Sequence, residues 1–272
     1  MTLTIGRSPF GPQPGVFNFT RQGPVHVLYF EDSPRRVRAL FNGEQIADSR
    51  RVKLLHETGL LPVYYFPEEH VRRDLLEASA HETYCPFKGS AHYHSIRVGD
   101  RVANNAVWYY PEPIPGAPPL AGYCAIVWDA MDEWYEEDRQ QFVHARDPYH
   151  RIDVLPTSRH VKISIDGQVV ADSRRALALF ESSLPTRYYI LPDDVRQERL
   201  EPSEATTRCA YKGLANYHSV RVGDKLHVDV AWSYRDPAAE VATVADRLCF
   251  FDEKVDVDLD GERQERPKTG WS

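Results

Sequence analysis

Val37-Arg38-Ala39-Leu40-Phe41-Asn42-Gly43-Glu44-Gln45-Ile46-Ala47-Asp48-Ser49-Arg50-Arg51 is answered 124 residues later by Val161-Lys162-Ile163-Ser164-Ile165-Asp166-Gly167-Gln168-Val169-Val170-Ala171-Asp172-Ser173-Arg174-Arg175. In each stretch two short apolar runs flank Asn-Gly or Asp-Gly. Those pairs supply the positive φ angles of a type I′ turn, whose twist matches the flanking strands, so each stretch is predicted to be a β-hairpin. The same offset relates Tyr93-His94-Ser95 to Tyr217-His218-Ser219, Cys85 to Cys209, Lys88-Gly89 to Lys212-Gly213, Trp108 to Trp232 and Tyr110 to Tyr234. About 40 per cent of positions from 37 to 110 match their counterparts without a gap, which makes the chain a tandem duplication.

The rest of each repeat continues in β. A tyrosine pair marks a short strand at Val63 to Phe66 and again at Arg187 to Leu191. Pro67-Glu68-Glu69 and Pro192-Asp193-Asp194 then place proline and acidic residues where a first helical turn tolerates them, predicting a short helix in each repeat, the second bounded nearby by Pro202. Further strands are expected around Thr83 to Lys88, His92 to Val98, Arg101 to Tyr110 and Tyr123 to Val127, with counterparts displaced by 124. The proline-rich segment from Pro111 to Pro119 reads as a stiff surface loop. The expected fold class is α+β, mostly antiparallel β. A first domain with an N-terminal extension spans residues 1–138, an ordered junction 139–158, and a second domain 159–272. The junction is expected to pack between the domains, and the polar tail from Gly261 is expected to fray.

Composition narrows the function classes. With 42 per cent apolar and 27 per cent charged residues, the 272-residue chain falls in the ordinary globular range. Its net charge of −7 argues against a protein that tracks a phosphate backbone, so no nucleic-acid partner is expected. No run approaches the length of a membrane span, and no secretory leader is recognisable, so the expectation is a cytoplasmic protein without a membrane partner. Four scattered cysteines form no C-x-x-C pair and are expected to be reduced; no metal or cofactor is expected. Phosphate-loop, dinucleotide, nucleophile-elbow and zinc-helix motifs are absent from the sequence.

Several residue sets remain as candidates. Cys85 and Cys209 would be nucleophiles if a nearby cation favoured the thiolate, but Lys88 and Lys212, three positions on, face the opposite side of a regular strand; a packed cysteine explains them as well. Lys88 and Lys212, each before a glycine, suit an anion, and so do the pairs Arg50-Arg51 and Arg174-Arg175. Tyr64, Tyr65, Tyr93, Trp108 and Tyr110, with Tyr188, Tyr189, Tyr217, Trp232 and Tyr234, offer flat apolar faces with polar edges. Alternation places Trp108 with Tyr110 on one strand face, and Trp232 with Tyr234, a face that is either core or cavity wall. His94 and His218 point to the other face and have no evident catalytic partner.

The Ala-Asp-Ser-Arg-Arg segment, the Tyr-Tyr strand, Tyr84-Cys85-Pro86-Phe87-Lys88-Gly89, Tyr93, Trp108 to Tyr110 and the Arg146-Asp147-Pro148-Tyr149-His150-Arg151 junction together resemble the DUF427 family in its two-domain form, from about residue 25 to 262. The resemblance implies a β-tent architecture, two small sheets meeting at an angle, similar to methionine sulfoxide reductase B and the ligand-binding domain of cereblon. It carries no function with it. The second repeat departs from the family pattern where Ala210 replaces proline.

The expected function is binding of a small molecule or peptide in one cleft per domain, with the two domains forming an intramolecular pseudo-twofold pair. The expected contacts are Arg51, Tyr64, Lys88, Tyr93, Trp108 and Tyr110 in the first domain, and Arg175, Tyr188, Lys212, Tyr217, Trp232 and Tyr234 in the second. The alternatives are an enzyme using a thiol or lysine nucleophile, of the nucleotidyltransferase type that the family label implies, and a purely structural interaction module.

Overall fold

The structure is a computed structural model that describes residues 2–20 and 22–269. The chain divides into two compact domains, one over Thr2–Pro148 and one from Tyr149 on, and the division falls inside the junction read from the sequence.

The first domain contains β1 (Leu28–Asp32), β2 (Val37–Phe41), β3 (Glu44–Ser49), β4 (Lys53–Glu57), β5 (Val63–Pro67), β6 (Leu76–Cys85), β7 (Gly89–Val98), β8 (Arg101–Tyr109), β9 (Tyr123–Ile126), β10 (Glu133–Glu136) and β11 (Arg139–Gln141). Seven of them form an antiparallel sheet in the order β1-β4-β5-β9-β8-β7-β6; the other four form a smaller sheet in the order β11-β10-β2-β3. The second domain repeats this with β12 (Ile152–Pro156), β13 (Val161–Ile165), β14 (Gln168–Ser173), β15 (Leu177–Glu181), β16 (Arg187–Tyr189), β17 (Leu200–Cys209), β18 (Gly213–Val222), β19 (Lys225–Pro237), β20 (Leu248–Phe250), β21 (Asp256–Leu259) and β22 (Glu262–Arg263). Its larger sheet is closed between β16 and β20 by a single bridge, Ile190 to Leu248, with hydrogen bonds of 2.7 and 2.9 Å.

The hairpins form as the sequence predicts. Asn42 and Gly43 have φ of 50° and 79°, and Asp166 and Gly167 have 48° and 76°, the two successive positive angles of a type I′ turn. Each hairpin also contains a register shift that the sequence did not announce, after Ala39 and after Ile163, which bends the ribbon over its core.

The predicted short helices are single 3-10 turns, Glu68–His70 with Arg73–Leu75, and Pro192–Asp194 with Gln197–Arg199. Val71 and Val195 interrupt them by bridging to Ala47 and Ala171, so neither turn can propagate. Pro202 does not bound a helix; it lies in β17, an edge strand beside a register shift, where a missing N–H is tolerated. The tail from Gly261 is not frayed through Thr269. Glu262 and Arg263 pair with β21, Gln264 donates its N–H to Val257 at 2.8 Å, and Arg266 bonds Asp256 at 2.9 Å. All four cysteines are free thiols, and among the described residues no helix is long and apolar enough to cross a membrane.

Alternation gives each large sheet two apolar faces. One packs on the smaller sheet around Phe66, Ile96 and Trp134 in the first domain, and around Ile163, Ile190 and Phe250 in the second. Each such fully buried side chain contributes roughly 1.5–3 kcal/mol. The other face carries a second cluster: Leu55, Tyr65, Ala91, Tyr110, Leu120 and Ala125 in the first domain, with Leu179, Tyr189, Trp232 and Tyr234 among its equivalents in the second.

Candidate functional site

The lysine-glycine turn is the anchor of this second face. After β6, Lys88 donates its N–H to the Cys85 carbonyl at 3.2 Å, and Gly89 then takes φ of +106°. A Cβ there would meet Ile114 Cγ2 at 3.2 Å and the Glu112 carbonyl at 3.3 Å, and in the other domain Gly213, at φ +105°, lies equally close to the Asp236 carbonyl. Glycine is therefore required by backbone angle and by the approach of a neighbouring loop, not by a ligand.

Lys88 turns inward. Its Nζ donates to Glu57 Oε2 at 2.5 Å, and His26 Nε2 lies 2.8 Å from Glu57 Oε1. The His26 ring stacks on Phe87 with centroids 3.9 Å apart. The second domain repeats the network with every member displaced by 124: Lys212 bonds Glu181 Oε2, His150 Nε2 lies 3.1 Å from Glu181 Oε1, and His150 stacks on Tyr211 at 3.9 Å. Burial alone would push the Glu181 carboxyl up, but the His150 hydrogen bond and the Lys212 ammonium outweigh it and hold the group below the ordinary carboxylate range. The triad joins three separated segments, and it engages the lysines that the sequence suggested for an anion. His150 lies in the Arg146-Asp147-Pro148-Tyr149-His150-Arg151 junction already singled out, whereas His26, Glu57 and Glu181 belong to no motif; their shared offset of 124 could have linked them.

Beside the triad lie the aromatics. Tyr65 is fully buried and forms a floor, with Phe30 and Trp108 edge-on to it at centroid separations of 5.6 and 6.3 Å. Tyr123 meets Phe30 edge-on at 5.6 Å, and the Lys88 ammonium sits 6.0 Å from the Tyr110 ring. Phe30, Tyr93, Trp108 and Tyr123 are half-buried, as is Cys85 at the rim, and the Tyr93 hydroxyl hydrogen-bonds Thr83 at 2.9 Å. Burial raises the Tyr65 and Tyr110 phenols well above their usual value, so both remain neutral hydrogen-bonding groups.

The corresponding face of the second domain is filled. Phe251 stacks parallel to Tyr217 at 6.2 Å and tilts against Trp232 at 4.6 Å, leaving Trp232 only 8% exposed. The Arg187 guanidinium carbon lies 5.7 Å from the Trp232 ring centroid and is held by Glu253 through bonds of 2.6 and 3.0 Å. In the first domain the equivalent positions are Val63 and Val127. The backbone register is unchanged: Val127 N–H donates to Ala106 at 2.8 Å and Phe251 N–H to Val230 at 2.9 Å.

Four of the residues expected at the clefts lie elsewhere. Tyr64 and Tyr188 precede Tyr65 and Tyr189, so alternation turns them to the other side of the sheet. There Tyr64 bonds Glu136, and the Tyr188 hydroxyl lies 3.4 Å from Arg159. Burial, then the Glu136 carboxylate, raises the Tyr64 phenol far above its usual value. Arg51 pairs with Glu69, and Arg175 with Asp194 at 2.8 Å, both on the exposed 3-10 turns. Arg50 and Arg174 are exposed. Lys88, Tyr93, Trp108 and Tyr110 do meet in the first domain, as do Lys212, Tyr217, Trp232 and Tyr234 in the second.

His94 also lies on the opposite side, stacked on Tyr109 at 5.1 Å in a cavity of about 340 Å³ that Cys124 and Glu68 help to line. Among the described residues, no cluster of three or more His, Cys, Asp or Glu side chains is arranged to hold a metal ion.

The model of one family, described as a domain of unknown function (DUF427), matches residues 29–137 and again 153–261. No curated protein matches the chain. The two matches fall on the two structural copies, each including its hairpin and the glutamate and lysine of its network, while His26 and His150 lie just before the matched segments; the chain belongs to the DUF427 family as a tandem two-domain member.

Proposed function

We propose that the protein binds a small molecule or a peptide side chain on the aromatic face of its first domain, and that the second domain is a copy whose face is occupied by its own side chains. The observation that carries this reading is the difference at one register position: Trp108 beside Val127 is only partly buried, whereas Phe251 buries Trp232. A planar ligand would stack on Trp108 against Tyr93, with the Thr83 and Tyr93 hydroxyls and the Cys85 thiol as polar contacts at the rim. The buried triad beneath holds the wall in place, and Lys88 serves that purpose instead of meeting the ligand.

Indole is a suitable probe in ligand-observed NMR. Saturation transfer to indole is expected in the parent protein and in Trp232→Phe, and its loss is expected in Trp108→Ala, provided circular dichroism shows that variant folded. Transfer that persists in a folded Trp108→Ala protein would sink the proposal.

A further inference from the structure

The second domain shows what chemistry fits this kind of face, because it supplies the occupants itself. Over Trp232 lie an aromatic ring, Phe251, and a planar cation, Arg187, which is paired with Glu253, whose side chain is fully buried, and with Asp252 at 3.5 Å; the first domain keeps one of these two acids. In the first domain the ring and the cation are missing, since Val127 and Val63 stand in their places. The retained acid is Asp129, the counterpart of Glu253, in the equivalent turn after β9. Asp129 is exposed and makes no ion pair among the described residues. Trp128, which replaces Asp252, stacks on Trp134 at 4.6 Å in the core between the sheets and leaves Asp129 as the acid of that turn.

We infer that the ligand of the first domain is a monocation carrying an aromatic or flat apolar group, seated over Trp108 with Asp129 as its counter-ion. The inference rests on the reading of that face as a binding site and adds the charge of the ligand. An indole face attracts a cation within about 6 Å of its centroid, and a carboxylate at the turn after the same strand pair, even an exposed one, favours a planar amidinium or guanidinium over a neutral isostere. The position where Val127 replaces Phe251 takes the ring, and the position where Val63 replaces Arg187 takes the cation.

Benzamidine, a ring joined to a planar cation, and benzamide, its neutral isostere, test this by ligand-observed NMR titration. Benzamidine is expected to bind the full-length protein at least about fivefold more tightly than benzamide, a preference within the range of exposed cation–π contacts. Asp129→Asn is expected to remove the preference by weakening benzamidine. The double variant Val63→Arg, Val127→Phe installs the second domain's occupants and is expected to exclude both probes. Equal binding of the two probes, with no effect of Asp129→Asn, would overturn the cationic assignment and leave an aromatic site standing. If neither probe binds, or both survive in a folded Trp108→Ala variant, the site itself is refuted.

Discussion

The Phe251 ring lies 4.6 Å from the Trp232 ring, centroid to centroid, and shields it from solvent. Exchange of this single position should therefore exchange the behaviour of the two faces. Val127→Phe is expected to cover Trp108 and blue-shift its emission with little loss of stability, because the Val127 side chain is exposed and not packed in the core. Phe251→Val removes a packed ring and is expected to cost about 2 kcal/mol. An iodide-quenching series on the two variants checks both: Trp108 should become protected in the first and Trp232 accessible in the second.

The Glu57 carboxylate should matter to the fold out of proportion to its size. Glu57→Ala leaves Lys88 and His26 without their common acceptor in a largely dry setting, where removing one partner of a buried pair costs about 3–5 kcal/mol. Glu57→Leu combined with Lys88→Met removes both charges and is expected to recover most of that loss. Urea unfolding of the parent, the single and the double variants measures the difference; equal stability of the single variant and the parent would show that the triad is not a clamp.

The four thiols should separate into two pairs. Burial pushes the Cys124 thiol up to about 12 and raises that of Cys249 far above its usual value, whereas Cys85 and Cys209 stand half-buried at the ends of β6 and β17. An aromatic disulfide reagent at neutral pH is expected to titrate two thiols in the native protein and the other two only after unfolding. Four thiols of equal reactivity would contradict the packing described for β9 and β20.

Acid should weaken the fold in two stages. Burial, with Arg235 adding to it, depresses the His218 imidazole below its ordinary value of 6.5, and burial likewise depresses His94, where Arg73 adds and Glu68 opposes. At these two histidines the folded protein binds fewer protons than the unfolded chain near pH 6, so their contribution is full above about 6.5 and falls as pH drops through the folded values. This fall is opposed in part by Asp252, whose carboxyl burial raises to about 6. The lowered Glu181 carboxyl adds a further loss below about 4.5. The urea midpoint is expected to decline between pH 7 and 5, and His218→Gln should flatten that decline.

Which parts of this were legible in the sequence follows from how local each signal is. A type I′ turn is written in two adjacent residues, so the Asn42-Gly43 and Asp166-Gly167 hairpins could be read directly. A helix was suggested at Pro67 and Pro192 because first-turn composition does not distinguish one turn from three; the bridges from Val71 and Val195, made to distant strands, decide the matter. Tyr64 and Tyr65 are identical in type, and only the register of β5 beside β9 says which one faces the aromatic cluster. The triad was the least legible element, since His26, Glu57 and Lys88 lie 31 residues apart from one to the next and meet only when β4 and the turn after β6 are in place.

The buried Phe251 also makes the two copies answer differently to variation. A substitution at Trp232 strikes packed interior, and its consequence is read in how much folded protein a cell retains. The same change at Trp108 strikes a partly buried wall, and on the binding reading proposed above its consequence is read in what the wall can hold. On that reading, sequence drift in one half is screened as stability and in the other as recognition, although the two halves share the same repeated stretch of chain.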